Sequence, residues 1–279
     1  MTGRAETAGP ADAPASTSAW AAELAFAVDI AAAAGRVLMD RYERLEAVTY
    51  KSARDVVTEA DHLSEDLVIG AIRDHFPGDE ILAEESGAND VPAASGRCWV
   101  IDPLDGTVNY ANGLPVFCVS IGFVVDGRPT AGAVLDPTRG ETFAATVDGP
   151  ATLNGRPIRA STKEQLSDYV VSLALAGRSV VSRARAIRKA VRVSRSMGSA
   201  SLALAYVGNG RFDAFIQESG LSTWDIAAAG LIAERAGATV TAFDASFWYD
   251  HAKKTRTANV VAAPPAHQAR LRALATGPA

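Results

Sequence analysis

Two carboxylates three residues apart, Asp102 and Asp105, close the segment Trp99-Val-Ile-Asp-Pro-Leu-Asp-Gly-Thr107, directly after a short apolar run. Hard divalent cations take oxygen ligands, and magnesium is typically shared between a few carboxylates and the phosphate of a substrate. Pro103 fixes φ and has no N–H to donate, which stiffens the turn and leaves nearby carbonyls open as ligands. Gly106 permits the close approach of an anion, and Thr107 stands where a helix through Asn109 and Tyr110 can begin, a place whose N–H groups bind phosphate. Asp, Pro and Gly are also what ordinary turns are made of.

Other acids invite the same two readings. Glu84-Glu85-Ser86 follows the apolar run Ile81-Leu-Ala, where a pair of loop glutamates is otherwise simply solvated. Thr223-Trp-Asp225 opens an Ala-rich helix, with Thr223 suited to cap it and Asp225 to complement its dipole. Thr58-Glu-Ala-Asp61 fits a capping box with Asp in place of Glu.

A scaffold must bring these distant acids together. Residues 1–19 are mostly Ala, Pro, Ser, Thr and Gly with little to bury, and are read as a disordered tail. Over residues 20–44, Leu24, Val28, Ala31, Gly35 and Leu38 recur at helical spacing. A second helix follows Thr58, with Leu63, Leu67, Ala71 and Ile72 on one face and Phe76-Pro77-Gly78 stopping it. Short apolar runs separated by Asp126-Gly127, Asp136-Pro137, Asp148-Gly149 and Asn154-Gly155 then predict an antiparallel meander. Beyond residue 160 the pattern alternates, with strands over 169–174, 191–196, 211–216, 239–241 and 259–263 and helices over 180–189, 199–207, 223–236 and 265–275. The expected class is α+β or mixed α/β, with layered sheets and helices. An N-terminal half, 20–160, carries the metal-binding motifs and meander, and a C-terminal half, 161–279, completes the site.

Composition removes several alternatives. A formal charge of −5 without a basic cluster gives no footprint for nucleic acid. No apolar run reaches the roughly 18 residues of a membrane span, and none near the start resembles a signal h-region. Cys98 and Cys118, in apolar strand-like stretches, make neither a disulfide framework nor a zinc site, so a cytoplasmic setting is expected. His62, His75, His251 and His267 lack i,i+4 spacing and are read as surface residues.

The ordered set Lys51, Asp61, Glu84-Glu85-Ser86, Asp102-Pro-Leu-Asp105-Gly-Thr107-Val-Asn-Tyr and Trp224-Asp225-Ile-Ala-Ala-Ala-Gly230 resembles the signature series of the inositol monophosphatase family. The match runs over about residues 20–275. It implies a layered αβαβα sandwich of the sugar-phosphatase type and Mg2+-dependent hydrolysis of a small-molecule phosphate ester, inositol monophosphate or a related cyclitol or sugar phosphate. By that resemblance Glu84, Asp102 and the carbonyl of Leu104 hold one ion, and Asp102, Asp105 and Asp225 a second, with a third, looser ion near Glu84. Asp61, Glu84 and Thr107 become the catalytic set, with Thr107 and Asp61 orienting a water and relaying its proton. Asp105, Gly106, Thr107, Ala200 and Glu218 become substrate contacts, Glu218 accepting an inositol hydroxyl unless it is merely a solvated loop acid. Lithium sensitivity and a homodimer follow from the same likeness.

Other substrates of the same chemistry are histidinol phosphate, fructose bisphosphate and a 3′-phosphoadenosine nucleotide. A non-catalytic binding protein would have lost a metal carboxylate, and none is missing. Two stretches depart from the family pattern: Leu173-Ala-Leu-Ala-Gly177, where relatives often show a Thr-Gly-Phe turn, and residues 243–257, where Phe247, Trp248 and Tyr249 replace polar, Gly-rich sequence. The latter is read as an exposed cluster for packing or an interface.

Overall fold

The computed structural model describes residues 18–44, 48–52, 55–88, 96–177, 179–252 and 256–277. The tail expected over residues 1–19 falls outside these up to residue 17, and its last two residues are held. Ser18 Oγ and the Ala19 N–H donate to the two Asp148 carboxylate oxygens at 2.6 and 3.1 Å, so these two residues are tied to the fold although composition assigned them to the tail.

Helix α1 (Ala21–Arg41) is followed by hairpin β1 (Val48–Ser52) and β2 (Asp55–Thr58), helix α2 (Glu59–His75), and strands β3 (Glu80–Ala83), β4 (Gly87–Ala88) and β5 (Arg97–Asp105). Short helix α3 (Thr107–Ala111) leads into the expected meander of β6 (Cys118–Val125), β7 (Arg128–Asp136) and β8 (Glu141–Thr146), extended by β9 (Thr152–Leu153) and β10 (Arg156–Pro157). Next come β11 (Val170–Ala174), α4 (Val180–Ala190), β12 (Val193–Arg195), α5 (Ala200–Gly208) and β13 (Ala214–Leu221). Helix α6 (Thr223–Arg235), β14 (Thr239–Thr241), β15 (Ala258–Ala263) and α7 (Pro265–Thr276) finish the chain. The β1–β2 hairpin was not legible as strands, and β13 runs five residues past its expected end at Ile216, to Leu221.

Apart from the separate β1–β2 hairpin, the described strands form two mixed sheets. An eight-stranded sheet has the order β10-β9-β8-β7-β6-β5-β3-β4, parallel at β3–β5, and a five-stranded sheet the order β12-β11-β13-β15-β14, parallel around β11. Side chains alternate across a strand, so each sheet has two apolar faces to cover. On β5, Trp99 and Ile101 join α1 and α2 through Leu38, Val68 and Ile72, while Cys98 and Val100 face α5 and α6. On the smaller sheet, Phe215 and Val260 face α5 and α6 as well, and Ile216 and Val261 face α4 and α7 through Ile187 and Leu271. The layers are therefore helices, sheet, helices, sheet, helices, the expected αβαβα sandwich.

The middle layer sits unusually close to the large sheet. Gly122 on β6 pairs with Gly132 on β7, and Cβ atoms there would lie 2.7 Å from Ala227 Cβ and 2.8 Å from Ala228 Cα of α6. Small residues on both sides thus set how far α6 descends. The aromatic segment corrects the sequence reading: Trp248 and Tyr249 are each only 3% exposed, and only Phe247 of the three, at 46%, faces solvent. The Trp248 ring fills the space that the missing side chain of Gly230 leaves on α6, where a Cβ would come within 2.5 Å of it.

Candidate active site

The two carboxylates of the central motif end strand β5, where pairing with β6 shifts register between Asp102, opposite Ser120, and Asp105, opposite Cys118. That irregularity turns both acids toward one cavity of about 260 Å³. Asp102 Oδ1 accepts the Leu104 N–H at 3.1 Å, which fixes the turn, and the Pro103 carbonyl is taken by Ser64 Oγ at 3.0 Å. Gly106 then adopts φ +101°, and a Cβ there would stand 2.9 Å from the Val116 carbonyl oxygen, so both conformation and space require glycine.

Thr107 opens α3 with its Oγ1 3.0 Å from the Leu104 carbonyl oxygen and 3.1 Å from Asp61 Oδ1. One hydroxyl proton serves only one of these acceptors at a time. The other Asp61 oxygen accepts from the Thr58 N–H and Thr58 Oγ1 at 2.8 and 2.6 Å, so Asp61 caps α2 with one oxygen while the other faces Thr107. Burial pushes the Asp61 carboxyl up to about 6, against the pull of its bonds from Thr58.

Asp225 is the third residue of α6. The helix is capped by Ser222 rather than by Thr223 as the sequence suggested, and Asp225 Oδ2 accepts the Ser222 N–H at 2.5 Å. Thr223 Oγ1 is buried without a hydrogen-bond partner. Asp105 is held from the start of α5: its oxygens accept from Ser199 Oγ and the Ser201 N–H at 2.7 Å each, and from the Ala200 N–H at 3.2 Å. The buried Cys118 thiol lies 3.7 Å from the same carboxylate. Glu84 enters from the turn after β3. That turn is pinned by Glu65 of α2, whose carboxylate accepts the N–H groups of Glu85 and Ser86 at 2.9 and 2.8 Å.

Oxygens of Asp102, Asp105 and Asp225 all lie within 4.8 Å of one another. Asp102 is 1% exposed, and its carboxyl is pushed well above the usual range, by burial first and then by the charges of Glu84, Asp105 and Asp225. Burial and the Asp105 charge push Asp225 up to about 7. Burial likewise raises Asp105, against its bonds from Ser199, Ala200 and Ser201. Buried like charges at this spacing need a cation to remain ionised, and the all-oxygen donor set fits a hard divalent ion.

Of the residues singled out from the sequence, Glu84, Asp102, Leu104, Asp105, Gly106, Thr107, Ala200 and Asp225 all line this cavity, with Asp61 behind Thr107. Glu218 does not line it. Its two oxygens pair with the Arg183 guanidinium at 2.7 and 2.8 Å and also accept the Ala176 N–H at 2.9 Å. The sequence offers no motif for Glu65 or Cys118, whereas Ser199 lies in the segment Arg195-Ser-Met-Gly-Ser-Ala200 that resembles the family stretch beside the substrate alcohol.

The model of the inositol monophosphatase family matches residues 20–276. The chain belongs to that family. Among curated members it is 37% identical over 241 residues to Nus factor SuhB of Pseudomonas aeruginosa, covering 80% of this chain and 86% of that protein. It is 36% identical over 244 residues to inositol-1-monophosphatase of Synechocystis, covering 85% and 83%. A solved family structure, the Thermotoga maritima IMPase, superposes with a TM-score of 0.81 at 31% identity, covering 91% of this chain and 97% of its own. Membership of the inositol monophosphatase family makes the chain a phosphoric monoester hydrolase.

Glu65 gives a direct test of how this family site is held. Glu65→Ala leaves two N–H groups without their acceptor, at about 1–3 kcal/mol each, and frees the turn that carries Glu84. With Glu84 as the metal ligand that the resemblance implies, the divalent-cation concentration for half-maximal phosphate release is expected to rise about 10–100-fold. An unchanged cation titration would show that Glu65 does not position Glu84.

Proposed function

We propose that the chain hydrolyses inositol monophosphate, or a related cyclitol or sugar phosphate, with Mg2+. The observation that carries this reading is the meeting of Asp102, Asp105 and Asp225 within 4.8 Å, in one cavity with Glu84, Gly106 and Thr107. Glu84, Asp102 and the Leu104 carbonyl would hold one ion, Asp102, Asp105 and Asp225 a second, and a third, looser ion would lie near Glu84. Ions bound there supply positive charge against a nearly dianionic phosphate and acidify a coordinated water. The chain does the rest. Backbone N–H groups of Gly106 and Thr107 orient the phosphate, which lowers the entropic part of the barrier. Thr107 passes a proton toward Asp61, whose carboxyl, at about 6, is suited to exchange protons near neutral pH.

With Glu218 occupied by Arg183, recognition of the alcohol passes in this reading to Ser172, Gln217 and Arg256, polar groups lining the same cavity. Phosphate release compared across inositol monophosphate, histidinol phosphate, fructose bisphosphate and a 3′-phosphoadenosine nucleotide tests the assignment. The cyclitol ester should give the highest kcat/KM, and EDTA should abolish turnover. A preference for histidinol phosphate would overturn the substrate, and full activity in EDTA the role of the ions.

A homodimer and a cytoplasmic location belong to the same proposal. Sedimentation velocity reads the first and fractionation of expressing cells the second. No helix among the described residues is long and apolar enough to cross a membrane. The likeness to a protein named Nus factor SuhB supports a second reading, a role beside catalysis as such a factor. Complementation by the inactive Asp105→Asn variant separates the two, because a non-catalytic role survives it.

A further inference from the structure

At the opposite end of β5 from Asp102, three side chains of different chemistry converge. Glu80 opens β3, Cys98 stands opposite it in the parallel β3–β5 register, and His251 arrives from the segment between β14 and β15. A carboxylate oxygen of Glu80, Cys98 Sγ and a ring nitrogen of His251 all lie within 4.8 Å of one another. We propose that these residues form a second metal site, built for a borderline transition ion such as Zn2+ and separate from the carboxylate cage. The proposal does not rest on the identity of the phosphate ester.

The donor set decides the class of ion. Thiolate, imidazole and carboxylate are the ligands zinc takes, and three of them leave a fourth position for water. Magnesium and calcium take oxygen and bind sulfur or nitrogen poorly. A tetrahedral zinc with bonds of about 2.0–2.3 Å separates its donors by roughly 3.3–3.8 Å. Closing the site therefore takes side-chain rotations of about an ångström and loss of the thiol proton, and no change of backbone.

The surroundings support a cation. Cys98 is 3% exposed, while Glu80 and His251 are half-buried, so an ion from solvent meets the latter two first. Tyr249 Oη lies 3.3 Å from His251 Nδ1, the kind of partner that fixes the ring of a metal-binding histidine.

The location gives the site a consequence. Trp248, three residues before His251, is seated on Gly230 of α6, and Arg256, five residues after it, lines the catalytic cavity. The Arg256 carbonyl also accepts the Gly220 N–H at 3.1 Å. An ion on His251 would fasten the segment to the large sheet between those two anchors, and so steady a residue that faces the substrate. Cys98 and Asp102 lie on the same face of β5, four residues and about 13 Å apart, so the two metal sites would share one strand.

The test uses the full chain, stripped of metal and titrated with Co2+ in excess Mg2+. A thiolate-to-cobalt charge-transfer band should grow to saturation at one equivalent and vanish when Zn2+ is added. Cys98→Ser and His251→Ala should each abolish the band, while Asp225→Asn, altered only in the carboxylate cage, should keep it. His251 is half-exposed, so its variant is expected to fold, which thermal melting checks. Cobalt binding without a thiolate band in the wild type, or a band that survives Cys98→Ser, overturns the proposal.

Discussion

Asp102→Asn is expected to lower kcat by at least about 10³-fold while leaving the metal-free fold as stable as before, or more so. Each 1.36 kcal/mol of lost transition-state stabilisation is a factor of ten, and compensating charge at a phosphoryl centre is worth several kcal/mol. Asparagine keeps the oxygen that accepts the Leu104 N–H, so the turn after β5 need not move. What disappears is a group whose charged form is disfavoured by burial first and then by Glu84, Asp105 and Asp225, which together hold the Asp102 carboxyl far above its ordinary range. Melting in EDTA should thus occur at or above the wild-type temperature. Activity within tenfold of wild type would sink the idea of a bridging ligand, and a loss of several degrees in EDTA would assign Asp102 a structural role instead.

The second large effect couples cation, pH and stability. Asp225 has a folded-state pKa of about 7, with Asp102 and Asp105 also raised. A group whose folded pKa is raised contributes stability that is present below its unfolded value, near 4, and is lost as pH rises through the folded value. Metal-free protein should accordingly lose stability steadily between pH 5 and pH 8. Each unit of net shift is worth about 1.4 kcal/mol, or roughly 2–4 °C in Tm for a chain of this size. A divalent ion at 100 times its Kd adds about 2.7 kcal/mol, which raises Tm by about 4–8 °C. That gain should grow with pH, because fewer protons must then be displaced. Calorimetry at pH 5.5 and pH 8, with Mg2+ and with EDTA, reads both effects. A Mg2+-induced shift that is equal at the two pH values would contradict the linkage.

Much of this was legible before any coordinates, for identifiable reasons. Asp126-Gly127 and Asn154-Gly155 adopt positive φ at both residues, so the dipeptides that marked turns in the sequence are turns. On α2 the spacing locates the helix but not its face: of Leu63, Leu67, Ala71 and Ile72 only Ile72 is fully buried, Leu63 is 40% exposed, and Val68 and Ile69 fill the core instead, while all four acids reach one cavity. What was missed has no local signature. Glu65 looks like any helix glutamate until the turn 20 residues later folds onto it, and Cys118 meets Asp105 only because β5 and β6 pair. Glu218 illustrates the opposite failure. Its spacing from Asp225 suggested a substrate contact, but nothing in that spacing could show that Arg183, 35 residues earlier, would occupy it. Trp248 looked like part of a surface cluster because its burial depends on the small residue at position 230, far from it in the chain but not in space.

The glycine pair beneath α6 has a wider meaning for catalysis. Gly122 and Gly132, with Ala227 and Ala228 above them, act as a spacer of fixed thickness, and Asp225 rides at the end of the element they support. Ligand distances in a metal site tolerate only about ±0.2 Å, far less than one added methyl group would demand. With Asp225 as the proposed ligand, the calibration of the cation's coordination sphere would therefore be lodged in a buried seam of the protein that offers it no ligand at all.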